Sequence, residues 1–460
     1  MPTVLEDFQT HGVRGIHRFN GRCILADDMG LGKTVQSSAW VKANPHVRPI
    51  LVICPAFIKD HWESEIMTHV GVRPQVLEGE SAMRRLPIIP PKAIIVNYDI
   101  LQYWVKYIRR FRPKVALIDE IQKIKNNDAI CTQAVRYVCE KIPHIIMMGG
   151  TGGIENRPID IWPAVSILRP DKFPDFSRFV RRYCAPKREF WGWNYNGASN
   201  LEELHKKLVK YCLVRRRQPD VMPELAPIKR KVITVEPADM TEYQKMEADF
   251  KRWLATHYFN QSKRKGRRRR EMKAKALARS NGLKMKAAEL KMKAVMDWIS
   301  NFLKTKKEKL ILFFIHKHIS KRLMKRFGNV AVMIDGSTPK EKRRLYVRQF
   351  HHSKRIRLFF GQLKATNYGW SARSANRVAS IELSWNPADH KQGEKRVHGM
   401  YRGVEGKQCY SYYFVAKGTI EERIVALHDK KQKIIDAVID GGKPSDFNIF
   451  QELMKEISRD

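Results

Sequence analysis

A chain of 460 residues with 87 Lys and Arg against 47 Asp and Glu, a net charge of +40, is too long for one core and too basic to lack a polyanionic partner. Nucleic acid is the partner this balance favours; an anionic membrane surface fits poorly, because the cations are spread along most of the chain and no charged-then-apolar leader or spanning run is present. Seven scattered cysteines without a Cys-x-x-Cys exclude a disulfide framework or zinc cage and indicate a reducing compartment, and the 43% hydrophobic content excludes a disordered chain.

Short apolar runs alternate with amphipathic stretches, the rhythm of parallel-sheet α/β units. Strands are predicted at Cys23–Ala26, Ile50–Cys54, Ala93–Tyr98, Lys114–Ile118 and His144–Met148. The first runs into Asp27-Asp28-Met29-Gly30-Leu31-Gly32-Lys33-Thr34 and then a helix. Backbone N–H groups of such a turn cradle phosphate oxygens; Lys33 would reach the β- and γ-phosphates and Thr34 would hold Mg²⁺. Asp27 stands where the general pattern has its first glycine. The fourth strand ends in Asp119-Glu120: Asp119 would hold the metal through water and Glu120 would polarise the attacking water.

The rhythm breaks near Pro170, where an aromatic-rich helical stretch runs through Trp191, Trp193 and Tyr195 to Arg215–Arg217. Lys251 to Lys293, with Arg267–Arg270 at its centre, reads as an exposed basic linker or helical insertion, either a solvated face or a phosphate-tracking arm. Strands resume at Leu310–Ile315, Ala331–Asp335, Ile356–Gly361, Val378–Leu383 and Tyr410–Val415, and a final helix begins near Thr419.

These residues resemble the Swi/Snf-type family of superfamily-two ATPases. The phrase Asp27–Thr34 stands intact. Phe8-Gln9 and Gly12-Val13 resemble the motif whose glutamine reads adenine, Cys54-Pro55-Ala56 with Trp62 and Glu65 resembles motif Ia, and Asp119-Glu120-Ile121-Gln122 with Lys125-Asn126 resembles the DEAH box, with Gln122 in the histidine position. Ile154–Pro158 resembles the tail of motif III, and Trp191–Gly197 looks like the annealing-helicase, or HARP-like, branch. In the second half, Asp335-Gly336-Ser337, Glu382–Pro387 and Gly418–Glu422 fit the same family. The resemblance implies an α/β fold of two RecA-like parallel-sheet lobes with a helical insertion and a basic inter-lobe linker. The corresponding boundaries are 1–168 and 299–440 for the lobes, 169–235 for the insertion, 236–298 for the linker and 441–460 for a tail. It further implies ATP and Mg²⁺ as cofactors and duplex or forked DNA as partner. Asp28 to Thr34, Gln9 and Gly369 would hold the nucleotide; Lys33, Glu120, Gln122, Arg396 and Arg402 would serve hydrolysis; Lys59, Lys125, Arg157 and Trp385 would meet DNA.

Three departures stand out. Motif III reads Gly149-Gly150-Thr151-Gly152-Gly153, without the family proline. Trp370 and Arg373 alter motif V. Motif VI keeps Gln392 and Arg396 but has Gly399 where the family's second arginine stands; Arg402, about 60° around and ~4.5 Å along a helix from 399, is the nearest substitute. The expected function is a monomeric DNA-dependent ATPase and translocase, fork remodelling or strand annealing among its outcomes, in a bacterial or phage-infected cytoplasm or a eukaryotic nucleus. The alternative is an ATP-gated DNA clamp with little turnover.

Overall fold

The computed structural model describes residues 4–81, 87–150, 157–189, 192–195, 197–223, 225–258, 267–366, 372, 374–398 and 408–428. The chain divides into two units. One holds the residues up to Lys187 and Asn194–Glu224; the other holds those from Leu225 to Gln432 and Arg188–Trp193.

In the first unit β1 (Arg22–Leu25), β2 (Ile50–Cys54), β3 (Gln75–Val76), β4 (Ala93–Asn97), β5 (Val115–Asp119) and β6 (His144–Met148) are short and rich in Ile and Val. The central ones are buried along nearly their whole length, as strands of an all-parallel sheet covered on both faces must be. A two-stranded sheet is made by β7 (Lys187–Glu189) and β8 (Gly192–Asn194), and β9 (Leu213–Val214) returns to the first sheet beside β1. The order is β3-β4-β2-β5-β6-β1-β9, with every pairing parallel. The register matters for function: Leu25 pairs with Met148 and Met148 with Asp119, so β1, β6 and β5 end side by side. The loops that leave them start from one edge, where parallel sheets carry their ligands.

The second unit has β10 (Lys229–Val235), β11 (Lys309–Phe314), β12 (Ala331–Ile334), β13 (Leu358–Gln362), β14 (Ala375–Ser380) and β15 (Tyr410–Ala416), in the order β10-β15-β14-β11-β13-β12, again all parallel. One sheet face packs against the helices Arg267–Thr305 and Lys317–Phe327, the other against Lys340–His352.

Two expectations about organisation are corrected. The segment 169–235 is not one insertion: Leu213–Val214 completes the first sheet and Lys229–Val235 is an edge strand of the second. Nor is the basic stretch an exposed linker. From Arg267 it is a 39-residue helix that buries Ala276, Leu283, Ala287, Ala288, Met292, Val295, Ile299 and Phe302, most of them three or four residues from another, an apolar stripe that faces a core. Its lysines obscured that stripe. One of them, Lys291, is itself fully buried and donates to both oxygens of Glu421, at 2.7 and 2.6 Å, and to the Phe414 carbonyl at 2.6 Å. Among the described residues no helix is long and apolar enough to cross a membrane.

Glu382 closes the second sheet's strand ends. It is 1% exposed and accepts the Ile315 N–H at 2.7 Å, the His316 N–H at 2.9 Å and His316 Nδ1. Burial alone would raise its pKa, yet the hydrogen bonds and charge of His316 and the two amides hold it below the usual range. A depressed folded value means the contribution is complete above the unfolded value of about 4.3 and is lost as pH falls below it. Glu382→Gln is therefore expected to melt earlier than the parent at neutral pH and to lose less on acidification, which thermal melts between pH 7 and 3 will read. Parallel acid profiles would remove the assignment.

Candidate nucleotide site

The turn after β1 depends on two glycines in the left-handed region, Gly30 (φ 89°) and Gly32 (φ 69°), where L side chains are strained. Gly32 is the N-cap of the helix Lys33–Ala43, so that helix opens with unsatisfied N–H groups pointing back at the turn. Lys33 Nζ donates to the carbonyls of Asp27 (2.8 Å) and Asp28 (3.3 Å).

Asp27, in the place of the first glycine, holds the turn from below. It is fully buried and accepts Gln36 Nε2 at 3.1 Å and the Arg216 backbone N–H and Nε at 3.0 and 3.1 Å, with Arg216 Nη2 closing a fork. Asp28 does the same one residue on: Arg215 Nη1 at 2.8 Å and the Gln218 N–H at 2.9 Å reach its two oxygens. The Asp28 carboxylate, expected beside the nucleotide, is thus engaged with the chain that follows β9. Gly12, on the helix Asp7–Arg18, comes so close that a Cβ there would stand 1.9 Å from Gln36 Oε1 and 2.3 Å from Arg216 Nη2. Gly12→Ala is therefore expected to cost about 1–3 kcal/mol and to weaken nucleotide uptake with it. Melting and nucleotide titration of this variant check both, and an unchanged protein would show that the anchor tolerates displacement.

The carboxylates arrive on β5. Asp119 accepts Trp62 Nε1 at 2.9 Å and the Glu120 N–H at 2.9 Å, and Tyr98 OH donates to its carbonyl at 2.6 Å. Glu120 sits at φ 54°, an unusual conformation for a residue with a side chain. Gln122 Nε2 donates to the Glu120 carboxylate. Electrostatics tie the two loops together. Burial lowers the pKa of Lys33, opposed by Asp27, Glu120, Asp119 and Asp28; burial raises that of Asp119, opposed by the Trp62 hydrogen bond and the charge of Lys33. The glycines after β6 complete the edge: a Cβ on Gly149 would lie 3.3 Å from Gln122 Oε1, and one on Gly150 3.0 Å from Met29 Cγ.

The arrangement suits a triphosphate. It offers glycine-shaped room, an open helix N-terminus and one ammonium. Gln122 Oε1 is buried beside the carboxylates with no hydrogen-bond partner, an acceptor fit for a metal-bound or attacking water. No group of three or more His, Cys, Asp or Glu side chains that could hold a metal occurs among the described residues. Thr34 and Asp119 would therefore share a magnesium ion with the nucleotide's own oxygens and water, as that ion prefers.

Other expected residues fall as follows. Leu31 is fully buried behind the turn, and Thr34 is half-buried on the first helical turn. Gln9 is buried, and its Oε1 accepts the Glu6 N–H at 3.1 Å in a capping box. Lys59, expected at a DNA-facing surface, is corrected: it is 7% exposed and its ammonium turns inward to the Leu77 carbonyl at 2.9 Å. Lys125 is half-buried at the end of the 3-10 turn Ile121–Ile124, and Arg157 lies 3.6 Å from Asp160. In the second unit Gln392 is buried, Arg396 is half-buried just after the helix Pro387–Glu394, and Trp385 donates Nε1 to Asn281 at 3.0 Å with Lys284 Nζ 4.5 Å over its ring. Gly369, Gly399, Arg402 and the motif III positions 151–156 lie outside the described residues. Sequence reasoning missed Gln36, Tyr98 and the anchoring work of Arg215 and Arg216; only the polar residues' burial, visible in three dimensions, marks them.

Comparisons with known proteins bear on this geometry. The model of the SNF2-related domain matches residues 8–292 and that of the helicase conserved C-terminal domain residues 290–400. The SWI/SNF-related matrix-associated actin-dependent regulator of chromatin subfamily A-like protein 1 of Xenopus tropicalis is 29% identical over 450 residues, covering 94% of this chain and 44% of that protein. The DNA annealing helicase and endonuclease ZRANB3 of Homo sapiens is 25% identical over 463 residues, covering 95% and 41%. The chain thus spans less than half the length of these relatives. Among solved structures, the Sulfolobus solfataricus SWI2/SNF2 ATPase core in complex with dsDNA aligns with 96% of this chain and 94% of its own, at a TM-score of 0.45 and 22% identity.

Proposed function

Because the chain belongs to the SNF2-related family of helicase-like ATPases, we propose that it hydrolyses ATP at the Lys33–Glu120 site and couples the cycle to movement on duplex or forked DNA, with fork remodelling or strand annealing as the outcome. The observation that carries this reading is the placement of one half-buried ammonium, Lys33, in the field of both Asp119 and Glu120 at the mouth of an open helix.

In this reading the turn Asp28–Lys33 and Thr34 grip the phosphates, Lys33 draws the γ-phosphoryl into place, and Gln9 serves the base. When bound, a magnesium ion supplies charge neutralisation between the phosphates. Glu120 accepts the proton of the attacking water, and Gln122, which holds the Glu120 carboxylate, also offers its unpartnered Oε1 to that water. Arg396 and Arg402 are the candidates for transition-state charge, with Gly369 beside the nucleotide. Lys125, Arg157 and Trp385 are the candidates for DNA contact; Lys59, bound inward, is not. The two relatives described above carry names that speak of chromatin regulation and of DNA annealing, and they support DNA as the substrate and annealing as an outcome here.

The test is steady-state phosphate release with no DNA, linear duplex and forked duplex. Turnover should rise several-fold on duplex and most on the fork, and Arg402→Ala should lower the stimulated rate. ATP-dependent DNA affinity with no turnover would replace the motor by a clamp, and identical rates with and without DNA would end the translocase reading.

A further inference from the structure

The second unit has a cationic edge that the nucleotide chemistry leaves unused. Its described motif residues Asp335, Gly336, Ser337 and Glu382 stand where the parallel strands end: Glu382 holds the start of the loop after β11, and Gln362 Nε2 donates to the Ile315 carbonyl while its Oε1 accepts the Gly336 N–H, both at 2.9 Å. At the opposite edge, where the strands begin, three segments lie side by side: the end of the helix Arg267–Thr305 with the loop 306–308 before β11, the loop 328–330 before β12 and the loop 353–357 before β13. Arg357 stitches the first to the third, donating Nη1 to the Leu303 carbonyl at 2.9 Å and Nη2 to that of Lys306. Arg355 Nε stitches the third to the second through the Asn329 carbonyl at 2.9 Å, and the Arg357 N–H reaches the Val330 carbonyl at 2.9 Å.

On this joined platform Lys304, Lys306, Lys307, Lys325, Lys354 and Arg355 are all exposed. None of them forms an ion pair among the described residues. Two nearby carboxylates already have arginine partners: Glu308, which also feels the Lys306 charge, lies 3.3 Å from Arg377, and Asp297 lies 3.4 Å from Arg326. A run of like charges without ion pairs, held by hydrogen-bonded loops and helix ends rather than by a floppy tail, costs self-repulsion that a polyanion relieves. Firm seating on a lipid surface draws on apolar side chains entering the headgroup layer as well as on cations. Among the described residues, the exposed large apolar residues of this unit, Trp193, Val232, Leu277, Met285 and Leu345, lie on none of these loops. Phosphates spaced along nucleic acid need only the cations. The six-residue β11 spans roughly 20 Å at ~3.3 Å per residue, so a phosphate held at this edge is out of reach of the motif-bearing edge.

We infer that this edge, built on Lys304, Lys306, Lys307, Lys325, Lys354 and Arg355, is a second duplex-phosphate surface that holds another arm of a branched DNA. The inference rests on the reading that the chain acts on DNA, and it assigns the branch preference to the second unit itself.

The test compares the full chain with a variant carrying Lys304→Ala, Lys306→Ala, Lys307→Ala, Lys354→Ala and Arg355→Ala, and with a control in which the four lysines become arginine. Affinity for a forked duplex and for one of its arms alone is measured against salt. Each phosphate contact contributes about −0.9 to the slope of log K against log salt. The parent should bind the fork with a slope about three or more steeper than the single arm. The alanine variant should lose that difference and bind the fork at least tenfold more weakly, the arginine control should keep it, and turnover stimulated by the single arm should match the parent. Equal fork affinity and slope in parent and alanine variant would overturn the surface. So would loss of binding to phosphatidylserine vesicles with fork binding intact. If the single arm stimulates neither protein, the motor reading fails, and the fork slopes still decide this surface by binding alone.

Discussion

Lys33→Ala is expected to lower ATP turnover by roughly a hundred- to a thousandfold, the size of effect seen when one preorganised charge donor is removed from a phosphoryl or acyl site, while the fold survives. The fold survives because the ammonium bonds only the carbonyls of Asp27 and Asp28, which the turn can leave to water. The chemistry does not, because Asp27, Asp28, Asp119 and Glu120 all crowd one cation. Without it an anionic triphosphate meets only carboxylates and helix-end amides. Glu120→Gln should behave differently. It keeps the charge balance favourable to nucleotide and removes the proton acceptor, so affinity holds while turnover falls by a similar factor. Fluorescent-nucleotide binding set beside phosphate release separates the two variants. Parental turnover in Glu120→Gln would show that another group takes the proton.

Lys291→Ala should destabilise the second unit by about 3–5 kcal/mol, the cost of stranding a buried charge, which for a unit of this size is a fall in melting midpoint of roughly 10 °C. Lys291 and Glu421 are 0% and 1% exposed, and the Glu421 carboxylate also takes the Ala416 N–H at 3.0 Å. The pair pins the long helix to β15 and to the start of the helix after Thr419. Removing the ammonium alone leaves that carboxylate in an apolar surround. Replacing both with leucine removes the problem and should recover most of the loss, since buried pairs rarely outperform well-packed hydrocarbon. Melting of the two variants, followed by circular dichroism, checks the claim. A single variant as stable as the parent would mean that water reaches Glu421 without cost.

What could be read along the chain was whatever the chain builds locally. A strand, a turn with Gly30 and Gly32 and a helix are consecutive residues, so the phosphate grip at Lys33 is legible from eleven letters. The same holds for Asp119 and Glu120 at the end of an apolar run. Buried strands such as Ile50–Cys54 announce themselves by continuous Ile, Leu and Val. Lys229–Val235 does not, because an edge strand exposed on both faces over its first four residues can be written Lys-Arg-Lys-Val-Ile-Thr-Val.

By itself, then, the sequence determined two α/β halves, the position of the phosphate turn and the identity of its carboxylate partners, because each rests on hydrogen bonds between near neighbours and on hydrophobic period. Only the tertiary structure decided which polar groups hold that turn and where the basic segment goes. Arg216 reaches Asp27 across 189 residues and Lys291 reaches Glu421 across 130. Burial turns a lysine that composition assigns to solvent into a core residue, and Lys59 inward to Leu77. Such pairings are chosen by desolvation, which penalises every charge without a partner and acts only once the chain has closed on itself.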